Sequence, residues 1–264
     1  MTKDESGTTD SEETTRSIPF ENFVTVLGWG EFSESITDQL LASSNHVAVI
    51  TDQEDDRVDI REEYPTDHVH VTVMHFADFE KMKALGVGRS RSVFLNLASD
   101  EEDLITILRM KRHFPDLDYM VALSDEELEQ TFRSAGVTYA VSKYNISSKI
   151  LASYLYEPDV AEYTEDLLKA TEEQGDYDIQ QYRVTESCGA IGDGFVELMH
   201  TLRDDHNCVP IGLRKADGTL HKVPEPDTVV NQNDFVLLIT QKSSESGIED
   251  YFGTQEGVLN GHSD

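Results

Sequence analysis

Short apolar runs alternate with amphipathic segments through the first half of the chain. The runs are rich in Val, Ile, Leu and Phe, which is typical of strands buried on both faces. They predict six strands, over Phe23–Leu27, His46–Thr51, His68–Val73, Ser92–Leu97, Asp118–Leu123 and Val137–Val141. Between them apolar residues recur at helical spacing, which predicts helices that begin near Glu31, Gln53, Ala77, Asp100 and Asp125. This alternation predicts a parallel, doubly wound, Rossmann-like α/β sheet.

The pattern changes after Tyr144. One apolar face over Asn145–Glu157 predicts a helix that leaves the sheet and ends at Pro158. The strongly acidic stretch that follows, Asp159–Asp176, is expected to form a helix and a turn at Gly175. Further on, an Asp217-Gly218 pair between apolar runs predicts a β-hairpin within a small α+β lobe. The predicted organisation is a disordered tail over 1–17, a Rossmann-like domain over 18–143, a crossover helix and acidic linker over 144–176, a C-terminal domain over 177–242 and a tail over 243–264.

The charge balance of the chain limits the kinds of partner that it can bind. Its 264 residues include 21 Lys and Arg against 52 Asp and Glu, which gives a formal net charge of −31. Such a surface repels nucleic acid and anionic lipid, so we expect neither as a partner. Because the share of apolar residues is ordinary, the acidity indicates adaptation to high salt, where a short Debye length suppresses self-repulsion, rather than disorder.

Targeting and redox signals favour the cytoplasm. No run of 18 apolar residues is present, so we expect no direct insertion into a membrane. The polar, acidic start of the chain lacks the features of a signal peptide. Cys188 and Cys208 form no CxxC pair, which fits a reducing compartment.

The first strand-to-helix turn carries the main candidate site. It follows the pattern of a glycine-rich phosphate turn in which serine replaces the third glycine. Glycines let a phosphate come close, and the helix N-terminus offers free N–H donors. Asp52, after the second strand, is placed to accept hydrogen bonds from a ribose. The alternative is that the glycines serve the turn alone. The candidate residues of the turn are Gly28, Trp29, Gly30, Glu31, Phe32 and Ser33.

Several longer segments resemble the regulators of potassium conductance, the RCK family, also described as TrkA-N plus TrkA-C or KTN. The resemblance covers roughly Asn22 to Lys242 and depends on the order and spacing of the segments. In particular it points to soluble ring subunits of archaeal potassium channels and transporters, and the acidity suggests a haloarchaeal one. The segments are VLGWGEFSESITDQL, LGVGRSRSVFLNLASDEEDLITILRMKR, FRSAGVTYAVSKYNISSKILASYL, PIGLRKADGTL and VVNQNDFVLLIT.

The resemblance implies a nucleotide site. It places an adenine nucleotide or NAD(H) against the first turn and Asp52, with Gln53, Asn96 and Ser99 beside it. In nucleotide-binding members of the family, Gly-Asp after the third strand holds adenosine. Here that place reads Met74-His75, which puts adenine recognition in doubt.

An ion is the other effector that the resemblance implies. In calcium-gated members, carboxylates after the fourth and fifth strands bind Ca²⁺. The matching positions here are Asn96, Leu123 and Asp125, so only Asp125 remains a candidate metal ligand. Calcium takes six or more oxygen ligands, and this site is therefore expected to be lost.

Assembly and partner also follow from the resemblance. Family members pair through the helix after the sixth strand, which is 145–157 here, and build rings that are usually octameric. The expected function is a non-catalytic cytoplasmic subunit whose effector changes the shape of the ring and so gates a membrane-embedded potassium channel or transporter. Two alternatives remain open, an NAD(P)-dependent oxidoreductase or redox sensor and a ligand-free scaffold.

Overall fold

The computed structural model describes residues 17–168 and 177–257, and the chain divides into two compact units after Tyr156. Parts of the predicted tails and linker, namely 1–16, 169–176 and 258–264, lie outside the described residues.

The first unit is a parallel sheet of six strands in the order β3-β2-β1-β4-β5-β6, which confirms the predicted fold class. The strands are β1 (Phe23–Leu27), β2 (His46–Thr51), β3 (Val69–Val73), β4 (Ser92–Leu95), β5 (Asp118–Leu123) and β6 (Tyr139–Ser142). The helices are α1 (Glu31–Ala42), α2 (Glu54–Glu63), α3 (Phe79–Leu85), α4 (Asp100–His113), α5 (Glu129–Ser134) and α6 (Lys143–Tyr156).

Apolar side chains bury both faces of this sheet. Every residue of β1, the central strand, is buried. One cluster includes Ile18 and Phe20, so the chain is already packed just after the predicted tail. Helix α3 begins at Phe79 rather than at Ala77, because the Asp78 side chain accepts a hydrogen bond from the Lys81 N–H and caps the helix there.

The second unit has an antiparallel sheet of four strands in the order β7-β10-β8-β9. The predicted hairpin at Asp217-Gly218 is present, since β8 pairs with β9 across it and Gly218 has φ +90°. The strands are β7 (Tyr177–Arg183), β8 (Val209–Arg214), β9 (Leu220–His221) and β10 (Phe235–Gln241). The helices are α7 (Pro158–Leu168), α8 (Phe195–His206) and α9 (Glu245–Phe252).

Two boundaries of this unit differ from the predicted ones. Helix α6 ends at Tyr156, before Pro158 as predicted, and Pro158 then opens α7, where its missing N–H costs nothing. Helix α7 has two buried residues and belongs to the second unit, so its residues are not a free linker. The stretch after 243 is not all tail, because Ile248 and Phe252 of α9 are fully buried in the core of this unit.

Candidate functional site

The candidate site lies where the chain reverses its direction of winding through the first sheet. The chain passes from β1 outward to β2 and β3, and then returns to place β4 on the other side of β1. In open α/β sheets, ligands bind beyond the carboxyl ends of the strands at such a switch point. A cavity of about 670 Å³ opens here, within the usual range for small-molecule sites. Its walls come from the segments after β1, β2, β3 and β4 and from one face of α4.

Gly28 is required by the backbone at the start of the turn. Its φ of +90° lies in the left-handed region, and a Cβ there would stand 2.4 Å from the Asn96 carbonyl oxygen. The Gly28 N–H donates to the Ile50 carbonyl at 2.9 Å. The turn is therefore pressed between the ends of β2 and β4, and Gly28 forms part of the cavity wall.

Ser33 and Asn96 fix the turn to β4. Buried Ser33 donates its hydroxyl hydrogen to the Gly28 carbonyl at 3.0 Å and accepts a hydrogen bond from Asn96 Nδ2 at 2.8 Å. Asn96 Oδ1 in turn accepts from Lys143 Nζ at 3.0 Å. Of these side chains Asn96 lines the cavity, whereas Ser33 is fully buried and stabilises the turn through its hydrogen bonds.

No other part of the chain fills the space beside Gly30, and no side chain caps the start of α1. A Cβ on Gly30 would meet nothing within 4 Å, so no contact within the chain requires glycine there. No side chain caps α1, which leaves its N-terminal N–H groups available to an anion. Glu31 and Glu34 in the first turn oppose this with negative charge.

The two aromatic residues of the turn point to different places. Trp29 is half-buried, meets the Tyr64 ring edge-on at 6.1 Å and also lines the cavity. Phe32 is exposed, and Lys143 Nζ lies 4.8 Å from its ring centroid. Trp29 therefore forms part of the cavity wall without filling the cavity.

Acidic residues dominate the wall after β2. Asp52 and Gln53 are exposed and line the cavity, and Gln53 Nε2 donates to Asp52 Oδ1 at 3.0 Å. Thr51 is buried, donates its hydroxyl hydrogen to Asp56 and accepts the Gln53 N–H at 3.1 Å. Asp52 is thus held at the end of β2, where a Rossmann fold binds ribose.

His75 occupies the wall after β3. Met74 before it is buried, whereas the exposed His75 ring lines the cavity. His75 Nδ1 accepts a hydrogen bond from the Ala77 N–H at 3.1 Å. This bond pins the ring and leaves Nε2 as its second polar atom.

One face of α4 closes the cavity, and the sequence reasoning did not find it. Glu102, Ile105, Thr106 and Arg109 all line the cavity, and their spacing puts them on one side of a helix. Ile105 is half exposed although it is apolar. Arg109 is the cationic residue of the wall, which also includes three carboxylates, those of Asp52, Asp56 and Glu102.

Asp103 lies buried behind this wall. It accepts a hydrogen bond from the Leu97 N–H at 3.0 Å and so fixes the cavity-lining segment after β4. Burial raises the pKa of the Asp103 carboxyl to about 7, with a further rise from Asp100 and opposing effects from the Leu97 N–H and Lys143.

Ser99 and Asp125 cap helical turns. The Ser99 hydroxyl accepts the Glu102 N–H at 3.2 Å, and Asp125 Oδ1 accepts the Glu127 N–H at 2.9 Å. Neither is among the lining residues of the cavity. Within 17–168 and 177–257, no group of three or more His, Cys, Asp or Glu is arranged to hold a metal ion.

The cavity brings together part of the predicted site. Gly28, Trp29, Asp52, Gln53 and Asn96 line it, whereas Gly30, Glu31, Phe32, Ser33 and Ser99 do not. The residues that sequence reasoning missed come chiefly from α4 and from the segment after β3. For the residues of α4 the sequence held one signal, since the apolar Ile105 does not lie on the face of the helix that packs into the core.

One family model matches the first unit by sequence. The sequence model of the TrkA-N domain matches residues 24–143, which is less than half of the 264 residues. The match confirms the predicted resemblance to the regulators of potassium conductance. No curated protein matches the chain by sequence.

One solved gating ring shares the fold, and two further solved structures match with lower TM-scores. The human SLO3 gating ring matches with a TM-score of 0.63 and 11% identity, over 88% of this chain and 46% of that one. The GsuK RCK domain matches with a TM-score of 0.44 and 19% identity, over 92% of this chain and 50% of that one. The GsuK channel bound to NAD matches with a TM-score of 0.44 and 16% identity, over 89% and 39%. The chain thus spans half or less of the length of these three proteins. In the part of the chain that the structure describes, no helix combines the length and apolar character needed to cross a membrane.

Proposed function

We propose that this chain is a regulatory module of the RCK type that binds a nucleotide in the cavity at the switch point of its first unit. The observation that carries the proposal is the joint placement of Gly28 and Asp52 on the wall of one cavity. A Rossmann fold uses this pair of positions for a pyrophosphate and a ribose. The TrkA-N match over residues 24–143 and the likeness to a gating ring support a regulatory rather than a catalytic role.

The phosphates of the ligand would lie at the start of α1. Open space at Gly30 lets an anion reach the uncapped N–H groups of the helix. Glu31 and Asp52 repel that anion, so we expect modest affinity that improves when salt or a bound cation screens the carboxylates.

Binding of the nucleotide would change the shape of an assembly of several chains. We assign pairing to α6, because its apolar residues are exposed and none of its residues is buried within the chain. Homodimers of this kind would build a higher ring on the cytoplasmic side of a membrane-embedded potassium channel or transporter. The effector would act by binding two shapes of the ring with different affinities.

A thermal-shift measurement in molar KCl tests ligand binding. The ligands are ADP, GDP, NAD⁺, NADH and Ca²⁺, each tested alone. A ligand at one hundred times its Kd adds about 2.7 kcal/mol to the free energy of unfolding, and we expect this from a nucleotide but not from Ca²⁺. Asp52→Ala is expected to remove most of the stabilisation by the nucleotide. Asp67→Ala, an exposed carboxylate before β3 at the opposite edge of the sheet, is expected to keep it.

Gly30→Ala separates binding from folding. The added methyl group meets nothing within the chain, so the ligand-free melting temperature should stay within a degree or two of the wild type. The same methyl group blocks a phosphate that approaches the backbone, so the nucleotide shift should fall. If no nucleotide stabilises the wild type, the chain is a scaffold without a ligand at this cavity, and the proposal is wrong.

A further inference from the structure

The base of the bound nucleotide would lie on the β3 side of the cavity. With the pyrophosphate at Gly28 and the ribose at Asp52, the base extends past β2 toward the next strand, where His75 and Phe76 form the wall. Arg109 belongs to this side too. His113, one helical turn further along α4, stacks on Phe79 at 4.6 Å, so this end of α4 lies against the segment after β3.

His75 presents a hydrogen-bond donor to the base. Its Nδ1 accepts the Ala77 N–H, so in the neutral ring the proton is on Nε2. This Nε2–H has no hydrogen-bond partner within the described residues and is exposed at the cavity wall.

Arg109 adds donors and no acceptor. Its guanidinium makes no hydrogen bond or ion pair within the described part of the chain, and its side chain is exposed at the cavity. Arginine pairs with O6 and N7 of guanine, whereas adenine is read by groups that also accept from its 6-amino group. Glu102, two turns before Arg109 on α4, adds to the cavity wall a carboxylate that can accept from the N–H groups that guanine has and adenine lacks.

From this geometry we infer that the cavity selects a 6-oxopurine nucleotide, such as a guanine or hypoxanthine nucleotide, over an adenine nucleotide, and that His75 is the residue that discriminates between them. The inference rests on the proposed function. The 6-oxo group accepts from His75 Nε2–H, whereas the 6-amino group of adenine would bring two donors together. This choice departs from the adenine nucleotide or NAD(H) that family resemblance implies.

Isothermal titration calorimetry in molar KCl with ADP, inosine 5′-diphosphate and GDP tests the choice of base. ADP and inosine 5′-diphosphate share the ribose and both phosphates, so their comparison isolates the base edge. We expect both 6-oxopurine nucleotides to bind about tenfold more tightly than ADP. His75→Asp replaces the donor with an acceptor that can still take the Ala77 N–H, and should remove or reverse the preference. His200→Asp, the same change on the exposed face of α8, should leave it intact.

The outcomes separate the two claims. Binding of ADP as tight as that of inosine 5′-diphosphate would overturn the inference and leave the nucleotide site standing. Binding of none of the three would overturn both. An undiminished preference in His75→Asp, with the variant folded by circular dichroism, would show that His75 does not make the choice.

Discussion

Asp103 is a buried carboxyl group directly beneath the candidate site. Its side chain is 3% exposed, and it accepts the Leu97 N–H, which holds a segment of the cavity wall. Burial is the main cause of its raised pKa of about 7, while Lys143 and the Leu97 N–H lower the pKa and the Asp100 and Glu102 carboxylates raise it. The sequence offers no sign of this, because Asp103 sits in a run of acidic residues at the start of a helix, where exposure is the usual case.

The first prediction at the residue scale concerns pH. Because the folded-state pKa of Asp103 is raised to about 7, the stability from its protonated form is fully present below the unfolded pKa of about 4 and is lost as pH rises through about 7. Asp103→Asn keeps an acceptor for the Leu97 N–H and removes the ionisation. It should therefore gain about 2–4 kcal/mol over the wild type at pH 8 and little at pH 4. Urea unfolding at the two pH values in molar KCl measures this, with Asp67→Asn as the exposed control. An equal difference at both pH values would contradict it.

Single residues were predictable where a local rule governs them. The glycine turn rule found Gly28, and the position at the end of a strand found Asp52; both line the cavity. His75 was noted only as a departure from the family pattern, and Arg109 was not found, because its place in the wall depends on how α4 packs against the segment after β3, which is a long-range contact. Ser33 was identified as a replacement for glycine, but the hydrogen bond that it accepts at the end of β4 comes from Asn96, 63 residues away.

At the scale of elements, α6 is a helix without a packed face. It has 14 residues, none of them buried, whereas isolated helices of that length are marginal in water. Leu151 and Leu155 are 64% and 88% exposed and lie one turn apart. The pairing proposed above, in which a second copy of the chain covers α6, would bury these side chains.

The prediction at this scale uses two matched substitutions. Leu155→Glu puts a charge in the proposed contact and should convert the dimer or ring to a smaller species. Val223→Glu makes the same kind of change at a residue of the second unit that is 90% exposed, and should leave the assembly unchanged. Size-exclusion chromatography with light scattering in molar KCl gives the masses. A monomeric wild type, or an unchanged mass in Leu155→Glu, would refute pairing through α6.

Elements were predictable in the first unit and less so in the second. Strands buried on both faces and helices with capping residues give strong local signals, and all six strands of the parallel sheet were found. The predicted end of α6 at Pro158 is present, since α6 ends at Tyr156, but the packing of the next helix, α7, into the second unit was not predicted. Helix α9 was missed because its two buried residues, Ile248 and Phe252, are separated by polar ones and gain a core only through β7 and its neighbours.

At the scale of the whole molecule, net charge is the dominant property. A charge of −31 on 264 residues opposes the compact state through self-repulsion. Salt weakens this repulsion because the Debye length falls from about 8 Å at 0.15 M to about 3 Å at 1 M. Within the described residues both units have buried apolar cores.

The last prediction follows from that charge. The melting temperature should rise steeply with KCl up to roughly 1 M, where the Debye length becomes shorter than the spacing of surface charges, and more slowly beyond. The rise should shrink at pH 5, where part of the carboxylates are protonated and the net charge is smaller. Sucrose favours compact states by exclusion from the surface and does not screen charge. The rise in melting temperature that it causes should therefore be similar at pH 5 and pH 7.5. Scanning calorimetry from 0.1 to 3 M KCl at pH 5 and pH 7.5 makes the measurement. A melting temperature that stays flat in KCl at pH 7.5 would mean that the acidic surface does not limit the stability of this chain.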